Sequence, residues 1–131
     1  MTGWFAPRGV SRAWLLGSLA LVAFVVWASL KPGSDTPSRY PIDKLGHWLA
    51  YFVLMAWFTG LHPRARHWQV ASVLLAFGLA LEVAQHLMHW GRNADPLDML
   101  ANSLGIACGA LLAAAGTAEW ALRFESWLRH R

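Results

Sequence analysis

The stretch Trp68-Gln-Val-Ala-Ser-Val-Leu-Leu-Ala-Phe-Gly-Leu-Ala-Leu-Glu-Val-Ala-Gln-His-Leu-Met-His-Trp90 decides the fold of this chain. As a helix it is long enough to cross the ~30 Å hydrocarbon core of a bilayer, which takes ~20 apolar residues. One charge, Glu82, interrupts it. A carboxylate at that depth costs roughly 2.5 kcal/mol or more unless it meets a partner or a wet cavity. Gln85, His86 and His89 follow at i+3, i+4 and i+7, on Glu82's side of the helix. A purely structural membrane helix has little use for such a stripe, so the segment reads as one wall of a site.

The rest of the chain extends the same pattern. Its 131 residues are 56% hydrophobic and only 14% charged, with a mean hydropathy of +0.36; a soluble domain carries roughly 25% charge. Apolar runs at residues 13–30, 45–61 and 97–118 accompany the run at 68–90. Backbone polar groups inside a bilayer must be satisfied within the segment, which selects helices. The expectation is an all-α polytopic membrane protein: one domain, a four-transmembrane-helix bundle, and a short amphipathic C-terminal helix over residues 119–131. That tail places Trp120, Phe124, Trp127 and Leu128 on one side and arginines around the other. It reads either as an interfacial helix on anionic headgroups or as a frayed extension of the fourth span.

The first run is read as a retained anchor. A cleavable signal has an apolar part of ~7–15 residues, shorter than this one, which also carries Trp14, Phe24 and Trp27. The net charge of +4 does not argue for nucleic acid, because the basic residues are spread through short segments between apolar runs. The single cysteine, Cys108, leaves no internal disulfide. With four spans, Arg8, Arg12, Arg64, Arg66, Arg123, Arg129 and Arg131 share one side, and Lys31, Arg39, Lys44 and Arg92 the other. The positive-inside rule then places both termini in the cytoplasm.

On that topology the unusual polar residues gather on the outer side. Asp43, Lys44 and His47 open the second span; Glu82 and Gln85 occupy the outer half of the third; Arg92, Asp95, Asp98 and Asn102 run from the outer loop into the fourth. Each also has a plainer explanation. Asp95-Pro96-Leu97-Asp98 is a good helix start, with Asp95 as N-cap and Pro96 at the first helical position. Asp43 suits the same role for the second helix. Lys44 and Arg92 suit interfacial anchoring, His86 and His89 suit an interface rather than a ligand shell, and Asn102 suits an interhelical hydrogen bond. Glu82 has an internal ion pair with Arg92, Lys44 or His47 as its alternative. Gly105-Ile-Ala-Cys-Gly109 is a small-xxx-small motif on the face that carries Asp98 and Asn102, and it offers a seam for close helix packing or for a homo-oligomer.

These pieces resemble the VanZ-like family of small bacterial membrane proteins. The resemblance lies in Asp43-Lys44-Leu-Gly-His47-Trp-Leu-Ala-Tyr51-Phe-Val-Leu, in Leu81-Glu82-Val-Ala-Gln85, in Gly91-Arg92, and in Asp95-Pro-Leu-Asp98-Met-Leu-Ala-Asn102-Ser-Leu-Gly105. It covers about residues 43–109. It implies a four-helix membrane protein from a family named for resistance to glycopeptide antibiotics of the teicoplanin type, without a settled reaction.

Three functions follow as expectations. The leading one is a non-enzymatic protein that binds or modulates the headgroup of an envelope lipid at the outer leaflet. Its partners would be membrane lipids, a polyprenyl-linked cell-wall intermediate among them, and no nucleic acid. Lys44 and Arg92 would grip phosphate or carboxylate while Glu82, Gln85 and Asn102 orient the head. The second is an intramembrane hydrolase or transferase acting on a lipid-linked phosphate, with His47 as base, Glu82 or Asp43 orienting it, and Asp98 as nucleophile. No organic cofactor is expected; a divalent metal on His47, Glu82 and Asp98 is the option. The third is proton or ion movement through Glu82, weakened by the confinement of polar residues to one half of the span.

Overall fold

The computed structural model describes residue 4 and residues 11–32, 40–89 and 95–131. Among them there is no strand. The elements are α1 (Arg12–Leu30), α2 (Tyr40–Leu61), a 3-10 turn (Arg64–Arg66), α3 (His67–Met88), α4 (Pro96–Leu112), a π turn (Ala113–Thr117) and α5 (Trp120–Arg129). Three segments are long and apolar enough to cross a membrane: α1, Arg64–Met88 containing α3, and Pro96–Arg129 containing α4. α2 has the length of a span, but Asp43, Lys44 and His47 make its first half more polar.

α1 shows why lipid rather than water suits this fold. Of its side chains only Ser18 and Val25 are buried, while Leu16, Leu19, Phe24 and Trp27 are exposed. A helix that is apolar all round belongs in a core or a bilayer. α2, by contrast, is the axial helix, with Tyr51, Leu54, Met55 and Phe58 buried against its neighbours. It packs most extensively on α4. Glycines set that contact. A Cβ on Gly105 would collide with the Trp48 carbonyl and stand 2.9 Å from the Phe52 nitrogen, and one on Gly109 would stand 2.7 Å from the Met55 Cβ. The small-xxx-small seam is therefore filled by α2 of the same chain. That corrects the idea of Gly105 and Gly109 as a homo-oligomer surface.

The boundaries shift from expectation in three places. α2 starts at Tyr40 rather than 45, so Asp43 lies within its first turn. α3 ends at Met88, with His89 in the left-handed region at φ 52°. The fourth run is broken: Gly116 takes φ 131°, a conformation that favours glycine, and Glu119 takes φ 61°. The chain then folds back. The Glu119 N–H donates to the Thr59 carbonyl (2.9 Å), and the Trp120 indole donates to the Ala56 carbonyl (3.0 Å). Glu125 accepts from the Trp14 indole (2.9 Å) and the Ser11 N–H (3.1 Å). The tail is thus a packed helix over the ends of α1 and α2, which excludes the frayed extension.

Candidate functional site

α2 carries Asp43, His47 and Tyr51 at i, i+4 and i+8, one side chain above the next on a single face. α4 carries Asp98, Asn102 and Gly105 at i, i+4 and i+7. Because the glycine seam brings these helices together, the two polar faces meet. His47 Nδ1 contacts Asn102 Oδ1 at 3.1 Å, and His47 Nε2 stands 3.4 Å from Asp98 Oδ2. Lys44 lies beside them. Its ammonium donates to Asp95 Oδ2 (2.6 Å) and to Asp98 Oδ1, and stands 3.7 Å from Asp43 Oδ2.

The start of α4 aims two of these groups. Asp95 is its N-cap, accepting the Leu97 N–H at 2.9 Å, with Pro96 opening the helix. The Asp95 backbone N–H points the other way and donates to Glu82 Oε2 at 3.3 Å. Glu82 is only 6% exposed, so the third helix joins the cluster through a carboxylate held by main chain. One turn deeper on α3, Gly78 lets Tyr51 and Asn102 approach the helix backbone closely. A Cβ there would lie 3.1 Å from the Tyr51 hydroxyl and 3.2 Å from Asn102 Nδ2. Tyr51 is 2% exposed, and its hydroxyl has no hydrogen-bond partner among the described residues.

Asp43, Lys44, His47, Glu82, Asp95, Asp98 and Asn102 are therefore brought together, and others are not. Gln85 turns to α1, where its amide donates to the Ser29 carbonyl at 2.7 Å; it ties helices together and does not face the cluster. His86 and His89 are exposed, their rings 6.2 Å apart. Gln85 lies about 60° round the helix from Glu82 and His86 about 40° the other way, and His89 falls past the helix end. Arg92 lies outside the described residues. Lys44 spends its ammonium on carboxylates, a different occupation from the phosphate grip expected of it. The metal-ligating set also changes: Asp43, His47 and Asp98 place donor atoms within 4.8 Å of one another, while Glu82 is turned to the Asp95 N–H. Sequence reading missed Tyr51, although its i+4 spacing from His47 was the available signal.

Charge in the cluster is unbalanced. Among the described residues four carboxylates face one lysine, and the N-terminal ends of α2 and α4 offset only part of the surplus. The hydrogen bond from Lys44, with a second from the Leu97 N–H, holds the Asp95 carboxyl below its ordinary value of 3.8. A depressed carboxyl stabilises the fold above its unfolded pKa, and that contribution is lost as the pH falls through the lower folded value. Asp95→Asn keeps the cap and removes the charge. Thermal unfolding in detergent should show the variant less stable than the parent at pH 7, with the gap closing as the pH drops below 3.8.

Arg64 and Arg66 follow α2 at its other end from the cluster, and Arg123 and Arg129 belong to α5. An apolar cavity of about 90 Å³ lies apart from the cluster, between Val22 of α1, Phe58 of α2 and Val70, Leu74 and Phe77 of α3. The chain matches no family model, no curated protein and no solved structure.

Proposed function

We propose that this chain is a VanZ-like membrane protein whose helices α1 to α4 cross the bacterial cytoplasmic membrane as a four-helix bundle with both termini cytoplasmic. Its polar column binds the headgroup of an envelope lipid at the outer leaflet. One observation carries the reading: among the described residues, polar side chains from three helices interlock at a single end. Interlocked polar groups at the mouth of a bundle are costly in hydrocarbon and persist where they meet a polar partner. The basic residues at the far end support the orientation. The partner is a phosphorylated or zwitterionic head, such as that of a polyprenyl-linked cell-wall intermediate, with His47, Asn102 and Tyr51 supplying hydrogen bonds and the carboxylates receiving its donors or cations.

A second reading is favoured by the His47–Asp98 contact. An imidazole held on one nitrogen by Asn102, with a carboxylate at the other, is a usable general base for hydrolysis or transfer at a lipid-linked phosphate. One experiment addresses both. The full chain is reconstituted in nanodiscs with a polyprenyl phosphate or diphosphate, and binding and phosphate release are followed for the parent and for His47→Ala and Asn102→Ala. Binding that weakens about tenfold or more in the variants without turnover supports the first reading. Turnover abolished by His47→Ala selects the second. Folded variants that bind like the parent, with turnover absent or unchanged, would sink both.

A further inference from the structure

We propose that Asp43, His47 and Asp98 form a divalent-cation site, and that the bound ion carries the phosphate contact of the headgroup. The phosphate half rests on the headgroup reading above; the cation half stands without it.

The argument starts from the proton on His47. Asn102 presents its amide oxygen to Nδ1 at 3.1 Å. An oxygen acceptor there favours the proton on Nδ1 in the neutral ring, which leaves the Nε2 lone pair to a cation. Nε2 and Asp98 Oδ2 stand 3.4 Å apart, and a proton on Nε2 or a metal ion can join them. The spacing fits an ion: ligand atoms each about 2.1 Å from one tetrahedral centre stand about 3.4 Å apart. Asp43 supplies the third donor, within 4.8 Å of the other two. One imidazole and two carboxylates suit Zn²⁺ or Mn²⁺.

Two further features agree. Lys44 occupies Asp98 Oδ1, the oxygen away from His47, and so steadies the carboxylate without blocking Oδ2. The Tyr51 hydroxyl lies one turn beneath His47, buried and without a partner among the described residues. It packs against Gly78 beside Asn102, the residue that contacts His47. A divalent ion seated among the carboxylates would give a phosphate a positive atom to meet. Asn102 is a positioning residue here, fixing the His47 tautomer as outer-shell partners of metal-bound histidines do.

The test uses full-length protein in nanodiscs of a zwitterionic lipid, stripped with chelator and titrated with Mn²⁺ by electron paramagnetic resonance, with Zn²⁺ as competitor. One Mn²⁺ per chain is expected, displaced by Zn²⁺. Affinity should fall more than about tenfold in His47→Gln and in the solvent-facing Asp43→Asn, should fall less in Asn102→Ala, and should hold in the remote Ser72→Ala. No bound ion at millimolar Mn²⁺ and Zn²⁺, or binding untouched by His47→Gln and Asp43→Asn, overturns the site. A polyprenyl phosphate that binds equally with and without chelator overturns the bridging role and leaves the headgroup reading intact. An ion that binds while the phosphate lipid does not sinks the headgroup reading and leaves the cation site standing.

Discussion

Replacing Gly105 by leucine is expected to unfold the α2–α4 pair, with a loss of about 3 kcal/mol or more. The reason is where the added atoms would go. Even a single Cβ meets the Trp48 carbonyl and the Phe52 nitrogen. Those are backbone atoms of a helix, and they cannot rotate aside as a flexible side chain does. The helices must separate, and separation breaks more than a packing contact. His47–Asn102, His47–Asp98 and Lys44–Asp98 all bridge α2 and α4, so the polar cluster opens with the seam. The matching control is Gly46→Ala, where the new Cβ meets nothing within 4 Å. It should leave stability unchanged or raise it by up to about 1 kcal/mol through helix propensity. Thermal unfolding of both proteins in one detergent checks the pair; equal midpoints would refute the tight seam.

The second large effect is expected from Asp98→Ala. The Asp98 side chain is 5% exposed, and Lys44, which it contacts, is 18% exposed. Deleting the carboxylate leaves an ammonium and an imidazole facing a void, and breaking a buried pair from one side costs about 3–5 kcal/mol. Asp95 still holds Lys44 from the other side, so about 2–4 kcal/mol is the expectation here. A companion variant tests the cause. Lys44→Met in the Asp98→Ala background removes the stranded charge and should recover part of the loss, with a coupling of about 0.5–3 kcal/mol in the double-mutant cycle. Strict additivity would mean that Lys44 and Asp98 do not depend on each other.

Much of this arrangement was legible in the residue order. The apolar runs and their length dictate helices, and the Asp95-Pro96 start reads directly as a cap because capping is local chemistry. The company kept by Asp43, His47, Asp98 and Asn102 was also legible, since i+4 spacing puts them on single faces. What escaped depends on rotation and register between helices, which spacing within one helix does not determine. Gln85 and Glu82 are three residues apart on one helix, yet one turns to Ser29 of α1 and the other to the Asp95 N–H. Gly105 and Gly109 announce a close approach but do not say to what; the answer is α2. The break at Gly116 sits in an alanine-rich stretch with no proline or charge to mark it, and only its positive φ reveals it. Tyr51 shares its face with His47, but the burial of its hydroxyl beside Gly78 depends on how α3 is turned.

The carboxylate of Glu125 has a consequence for biogenesis. It holds Ser11 and Trp14 at the beginning of α1, although it lies 111 residues after Trp14 in the chain. That edge of α1 therefore stays unclosed until α5 has been made. Until then the indoles of Trp14 and Trp57, which Trp120 later covers at 5.4 and 5.9 Å, stand open to chaperone or protease.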